Sequence, residues 1–476
     1  MMYMYKKGVC INLKTSSNRK FTLIAVTMSS FLTPFMVSSL NLAVPSIGEE
    51  FGGDVYSLSW VITSYLLASA VFLLPWGRLS DLVGRKKIFT TGIMLFAFST
   101  FLCGLSWSLQ SLIFFRIIQG ICSAMYFATS IPILTLTFSP QERGRVLGVN
   151  SAAVYTGLSL GPVLGGLLNH HLGWQYIFFL TAGVAFLVLY FVLRHMSGEW
   201  VGVKGEKFDY KGSVLYGIGL IIVMYASSSL AKWNGAIVLL ILGLIVLVCF
   251  VFYELHQKSP LINVRLFRNN VGFSFSNLAA LINYSATYAI GFLISLYLQV
   301  ARGFDSQIAG LILLSQPVLQ ALFSPFAGRL SDRIEPRIVA TFGMSITTIG
   351  LFIFSFLTEE TSLWFLVVNL ALQGVGFAFF AAPNNNAIMT SVEKKEYGVA
   401  SAVLGTMRIV GQSLSMVLMT LVTSIYLGGV SISPVYSELI TKSTRVSFFI
   451  FALICCGGIF ASLARGNLVK KESKES

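Results

Sequence analysis

Gly77-Arg78-Leu79-Ser80-Asp81 runs on as Leu82-Val83-Gly84-Arg85-Lys86-Lys87, and its first five residues return as Gly328-Arg329-Leu330-Ser331-Asp332, an offset of 251 positions. Two more matches follow in the same order. Gln119-Gly120 returns as Gln373-Gly374 at an offset of 254. Gly148-Val149, Ser151-Ala152, Thr156 and Gly161 return as Gly398-Val399, Ser401-Ala402, Thr406 and Gly411 at an offset of 250. Ordered matches at nearly equal spacing mark a parallel duplication. The chain therefore reads as a tail (1–20), a first half (21–195), an unrepeated stretch (196–271), a second half (272–465) and a second tail (466–476).

The sequence around the repeated loops is apolar. Hydrophobic residues make up 55% of the 476 positions and charged residues only 11%, against roughly 25% charged in a soluble domain. Only a bilayer can cover so much apolar surface. The runs at 21–45, 88–107 and 212–230 each approach the ~20 residues of a spanning helix. They are continuous rather than alternating, which excludes a barrel. Fourteen spans are expected, at 21–45, 56–77, 88–107, 110–136, 145–168, 174–194, 212–230, 234–254, 272–299, 307–327, 338–357, 362–388, 398–426 and 445–465. Six fall in each half and two between them. The expected fold is all-α, two six-helix bundles plus two linker helices.

A net charge of +14 invites a nucleic-acid reading, but the distribution of charge excludes it. Arg116 and Arg408 lie inside spans, and Lys232, Arg302, Lys442 and Arg445 are the only basic residues on one side. All the others share the side of the two tails. By the positive-inside rule both termini are cytoplasmic in a multi-pass protein of the cytoplasmic membrane, where anionic lipid headgroups are natural partners. The first ~20 residues lack the apolar core of a signal peptide. None of the six cysteines shows metal spacing, and disulfides are not expected. No G-x-x-x-x-G-K-[ST] phosphate loop occurs, so no nucleotide or other cofactor is expected. Energy would come from an ion gradient, a substrate gradient or a partner. Clustered catalytic groups at membrane depth are missing, which argues against an enzyme. Nothing in the sequence demands more than a monomer.

Three motifs carry chemistry. In the first loop, Gly77 and Gly84 permit a tight turn and close helix approach. Asp81 stands at a helix end among Arg78, Arg85, Lys86 and Lys87, where it can pair with Arg85 or with the positive end of a helix. In the fourth span, Arg116 is costly unless it faces a cavity or a partner. It shares a 3-4-3-4 face with Gln119, Ser123, Tyr126 and Ser130. In the fifth span, Gly157, Gly161 and Gly165 form a flat groove for close packing, and Pro162 can bend the helix.

These residues resemble the signature loop, the fourth-helix motif and the antiporter motif of the major facilitator superfamily. Asn41-Leu42-Ala43-Val44-Pro45, Trp60, Tyr65, Gly173-Trp174 and Arg408-x-x-Gly411 extend the resemblance to the fourteen-helix drug:proton antiporter branch, over nearly the whole chain. The resemblance implies alternating access between two bundles. Gly77, Arg78, Asp81, Gly84, Arg85 and Lys86, with Gly328, Arg329 and Asp332 in the second copy, would form a latch. That copy ends in Glu335-Pro336-Arg337, so a weaker latch is expected there. Asp81 and Arg116 are the proton-coupling candidates, with the proton gradient as energy source. The groove on the fifth helix implies export.

In such an architecture the first, fourth, ninth and twelfth spans line the substrate cavity. The residues expected there are Ser30, Asn41, Gln119, Tyr126, Asn277, Tyr284, Tyr288, Gln373 and Asn384, joined by Arg408 and Gln412 of the thirteenth. Proton-coupled export of amphipathic drugs or related small molecules is the expected function. The alternative is a metabolite or anion transporter, a uniporter or exchanger without proton coupling. One departure separates the two. The branch usually carries an Asp nine residues before the first-helix proline, and here that place is Met36. No Asp or Glu lies in the middle of any span. Such a cavity suits neutral or anionic molecules at least as well as cations.

Overall fold

A computed structural model describes residues 4–6, 9–11, 16–138, 142–196, 198–200, 207–230, 233, 235–257, 260–262, 264–392, 397–428 and 434–465. The expected C-terminal tail lies outside these residues. A short antiparallel hairpin, β1 (Met4–Lys6) with β2 (Val9–Ile11), precedes the first helix. The first half then supplies α1 (Ser16–Phe51), α2 (Val55–Val83), α3 (Arg85–Gly104), α4 (Leu109–Thr137), α5 (Arg143–His171) and α6 (Gln175–His195). The linker supplies α7 (Tyr210–Ser229) and α8 (Ala236–His256). The second half supplies α9 (Val264–Asn269), α10 (Val271–Thr287), α11 (Ile290–Leu296), α12 (Ser306–Leu313), α13 (Ser315–Arg333), α14 (Pro336–Phe354), α15 (Leu363–Thr390), α16 (Tyr397–Leu427) and α17 (Ser437–Leu463).

Helices dominate because a backbone in hydrocarbon must satisfy its own polar groups. Thirteen described stretches are long and apolar enough to cross a membrane. The 29-residue α5 is the further crossing expected from the sequence. Helix ends follow local chemistry. Ser108 and Ser111 form a capping box at α4, the Asn270 side chain caps α10, and Pro336 opens α14 at a position where its missing N–H costs nothing.

The chain forms two compact units. The first comprises Met1–Leu40, Trp60–Ile222 and Leu242–Leu261. Its interior is aromatic, with Phe89, Phe96, Tyr126, Trp174 and Phe178 buried where α3 packs on α4 and α6. The linker helix α7 leans on α2 through a Tyr216 hydroxyl that donates to the Ala70 carbonyl at 2.9 Å. Along α8, Ile237, Ile241, Ile245, Val248 and Phe252 are exposed, a stripe suited to lipid.

The second unit comprises Asn41–Ser59, Val223–Ile241 and Ile262–Ser476. Here α13 and α14 pack on α15, and α16 and α17 pack on α10. Phe273, Ile388, Ala400 and Val403 form one buried cluster, and Phe354 stacks on Phe448 with centroids 4.9 Å apart.

The ninth span, expected as one helix over 272–299, is interrupted. It stops at Thr287, restarts at Ile290 and closes in a π-turn at Tyr297–Ala301. The cause is a side chain from a neighbour. The Ser415 hydroxyl of α16 accepts the Ala289 N–H at 3.0 Å, and a polar group inserted into the backbone ladder is a recognised origin of helix breaks. A related exchange occurs in α1. Pro45 has no N–H to offer the Asn41 carbonyl four residues back. The Ser295 hydroxyl donates there instead, at 2.7 Å.

Candidate functional site

In the first signature loop, Asp81 Oδ1 accepts from Arg85 Nε at 2.9 Å and Nη2 at 2.7 Å. The pair is partly exposed and adjacent on one helix junction. Such pairs contribute under about 1 kcal/mol, so Asp81 can change partners at little cost. Gly84 turns the chain with φ of 125°, a conformation essentially reserved for glycine. The other signature glycines are not needed for close approach. A Cβ on Gly77 would meet only Ala128, at 3.8 Å, and one on Gly328 would meet nothing within 4 Å.

Gly84 is also the N-cap of α3 and has no side chain to cap with. The segment after α6 supplies what is missing. Glu199 Oε1 accepts the Lys86 N–H at 2.8 Å, and the Trp200 carbonyl accepts the Arg85 N–H at 3.0 Å. A carboxylate at the positive end of a helix is favourable, so Glu199 and Trp200 hold the loop from outside it. Sequence reading missed both, because their partners lie over a hundred residues away. In the second copy, Ser331 repeats the hydroxyl-to-Gly328 bond that Ser80 makes to Gly77, each at 2.7 Å. Arg329 is exposed, Glu335 pairs with Arg337 at 3.3 Å, and the side chain of Asp332 lies outside those described.

The glycine stripe of α5 lies against α1. A Cβ on Gly157 would come 2.7 Å from the Phe31 carbonyl. One on Gly161 would collide with the Ser38 hydroxyl, and one on Gly165 would sit 2.5 Å from Ser39 Cβ. Ser39 donates to the Gly161 carbonyl at 2.9 Å, at the turn where Pro162 follows. The duplication repeats this contact. Gly411 of α16 lies against α10, 2.7 Å from the Leu281 carbonyl by the same measure.

Arg116 is wholly buried and anchors a knot of neutral groups. Its Nε donates to the Val61 carbonyl at 2.8 Å and its Nη1 to Gln119 Oε1 at 2.6 Å. The guanidinium lies 4.2 Å over the Tyr65 ring. Gln119 Nε2 donates to Thr100 at 2.6 Å. Met36 completes the knot: its Sδ lies 3.5 Å from Arg116 Nη1 and 3.1 Å from Gln119 Nε2. The first-helix position that lacks its Asp thus faces the buried guanidinium. Bonds from a charged donor contribute about 1.5–3 kcal/mol each, and a desolvated cation–π contact about 2 kcal/mol. These offset a large part of the cost of burial. Arginine stays protonated in proteins, so the knot is a fixed positive charge. Tyr126 lies further along α4 and shares a hydrogen bond with Thr33 at 2.5 Å. Ser30 is buried on the same stretch of α1.

In the second unit the expected cavity residues divide. Gln373 is buried and donates to the Thr347 carbonyl at 3.1 Å, bonding α15 to α14. Asn277 turns back on its own helix, donating to the Phe273 carbonyl at 2.9 Å. Asn384 is buried in α15. Tyr284 packs edge-on to Phe377 with centroids 5.4 Å apart. Asn41, Tyr288, Arg408 and Gln412 are half-buried, Tyr288 at the break in the ninth span. Of these, Gln373 binds helix to helix and Asn277 binds within its own helix, while the half-buried residues keep exposed surface.

Comparison with known proteins adds to this geometry. The family model described as Major Facilitator Superfamily matches residues 26–209 and 276–476. The Riboflavin transporter RibZ of Clostridioides difficile (strain 630) is 28% identical over 386 residues, covering 81% of this chain and 84% of that protein. The Multidrug resistance protein Stp of Mycobacterium tuberculosis (strain CDC 1551 / Oshkosh) is 29% identical over 398 residues, covering 83% of this chain and 74% of that protein. The crystal structure of a bacterial homolog to the human lysosomal transporter Spinster, inward-facing and unoccupied, superposes with a TM-score of 0.70 at 16% identity. It covers 96% of this chain and 99% of that one.

Proposed function

Because the chain belongs to the major facilitator superfamily, we propose that this multi-pass membrane transporter exports neutral or anionic amphipathic small molecules in exchange for protons. Both termini would face the cytoplasm. Alternating access of the two halves would move the substrate, with the Asp81–Arg85 pair exchanging partners as the latch opens and closes. The observation that carries the charge class is the placement of Met36 Sδ against Arg116 and Gln119. A carboxylate at position 36 would neutralise the guanidinium and offer a cationic compound a partner. A thioether does neither. At an effective dielectric of about 20, a like charge ~8 Å away meets about 2 kcal/mol of repulsion, close to thirtyfold in affinity. Cationic substrates are disfavoured by that margin.

Export is supported by the glycine stripe of α5 against α1 and by a relative named for multidrug resistance. A relative named as a riboflavin transporter agrees with a substrate that carries no positive charge. It also favours the second reading, a metabolite transporter without proton coupling. The test is purified protein in liposomes with a pH dye inside, challenged with cationic, neutral and anionic amphiphiles. Proton movement evoked by a neutral or anionic compound, and lost in Asp81→Asn, supports antiport. Compound movement without proton flux replaces antiport by the uncoupled reading.

A further inference from the structure

At the end of the second unit away from Gly328–Asp332, the end of α14, the end of α16 and the first turns of α17 line a groove of about 390 Å³. Its floor is aromatic. Phe352 meets Phe356 edge-on at 5.2 Å and faces Phe449 at 6.4 Å, and Tyr426 closes one end. These rings are 38–59% exposed; Phe352, Tyr426 and Phe449 belong to helices long and apolar enough to cross a membrane, and Phe356 lies just past the end of one. Two cations line the same groove. Arg445 Nε donates to the Ser355 carbonyl at 3.1 Å, which fixes the guanidinium at the rim. Lys442 pairs with Glu438 at 2.7 Å, with side chains 53% and 74% exposed. An exposed pair of this kind is weak and exchanges readily for a better anion.

The placement of these cations is unusual for this chain. Its basic residues crowd the side of the tails, and the opposite side has only Lys232, Arg302, Lys442 and Arg445. Arg302 is committed to the Tyr297 hydroxyl at 3.0 Å and the Thr361 carbonyl at 2.6 Å. Lys442 and Arg445 instead meet at one aromatic groove at the bilayer edge. The positive-inside rule acts against cations on this side, so topology does not account for the pair. Phosphate is well matched by a fixed guanidinium and an adjacent ammonium, and exposed rings at membrane depth are matched by an acyl chain.

We propose that this groove binds one anionic phospholipid, with its phosphate between Lys442 and Arg445 and one acyl chain over Phe352, Phe356 and Phe449. The site is independent of the transported substrate. The experiment is native mass spectrometry of the delipidated full chain, titrated with phosphatidylglycerol and with phosphatidylcholine of matched chains, beside thermal unfolding in the same lipids. One phosphatidylglycerol should bind in preference and raise the unfolding temperature. Lys442→Gln with Arg445→Gln should lower that preference by roughly 25-fold, about fivefold per cation. Glu438→Gln releases Lys442 from its partner and should tighten phosphatidylglycerol binding, which keeps the test open should the double variant not fold. Phe356→Ala should weaken both lipids together and leave their ratio unchanged. Inorganic phosphate and glycerol 1-phosphate should not shift unfolding. Equal binding of the two lipids, a Glu438→Gln variant that binds no tighter, or a full shift from phosphate alone would each overturn the assignment.

Discussion

In α4, Gln119 stands between a buried arginine and a thioether. In α15, its repeat partner Gln373 donates to a neutral carbonyl, that of Thr347. Much else is shared. Each glutamine bonds to the preceding helix, Gln119 at Thr100 and Gln373 at Thr347. Each following glycine lets a backbone through: a Cβ on Gly120 would sit 2.5 Å from the Tyr65 carbonyl, and one on Gly374 would collide with the Gln316 carbonyl. The offset that relates the glutamines places Leu370 where the first half has Arg116. Duplication preserved the packing here, and at this position only the first half carries a buried charge. The signature loops diverge in the same direction. The first turns through Gly84 and is held by Glu199, while the second turns into Pro336 and rests on a short Glu335–Arg337 pair. At these two places the first half carries the charge, and the second repeats the frame around it.

Exchanging the two halves' residues breaks the comparison most severely at Leu370. Leu370 is wholly buried, and Leu370→Arg would bury a charge without a prepared cage. A loss of about 3–5 kcal/mol is expected, read as collapse of monodisperse protein in size-exclusion profiles. Arg116→Leu makes the first half resemble the second. Monodisperse protein should survive, while the roughly thirtyfold handicap of a cationic amphiphile should vanish with the charge. Gly84→Ala tests the loop. At φ of 125° the added Cβ would meet the Glu199 carboxyl at 2.6 Å, and strain of about 1–3 kcal/mol should slow turnover roughly tenfold with substrate affinity unchanged. Glu335→Gly, in the second loop, should leave turnover within about twofold. Glu199 falls between these two. Glu199→Gln keeps the acceptor oxygen but loses its charge at the helix terminus, about 0.3–1 kcal/mol, and should slow turnover two- to fivefold. Glu199→Ala should slow it further.

The duplication, the spans and the first signature loop were legible because they are local patterns: a repeated pentapeptide, runs of apolar residues, glycines at fixed spacing. Contacts between distant segments were not. Glu199 reads as one acidic residue in a polar connection, and nothing near it points to α3. The break in the ninth span carries no proline or glycine at Tyr288–Ala289; its cause is a serine on another helix. Met36 was legible only as an absence. That its sulfur touches the guanidinium depends on the packing of α1 against α4. Gln119, Tyr126, Asn277 and Gln373 share polar faces at helical spacing, which suits cavity lining and helix pairing equally. Burial and partners separate those uses, and periodicity does not.

On the proposed function, a carboxylate-free arginine knot in the first half would set the charge of the cargo. Its most direct test is transport by reconstituted wild type and Met36→Asp, using amphiphiles of matched shape that differ only in charge. Wild type should carry the neutral and anionic compounds and disfavour the cation by at least tenfold, and Met36→Asp should bring the cation within about twofold of the neutral compound. Equal transport of all three by wild type, unchanged by Met36→Asp, would contradict it.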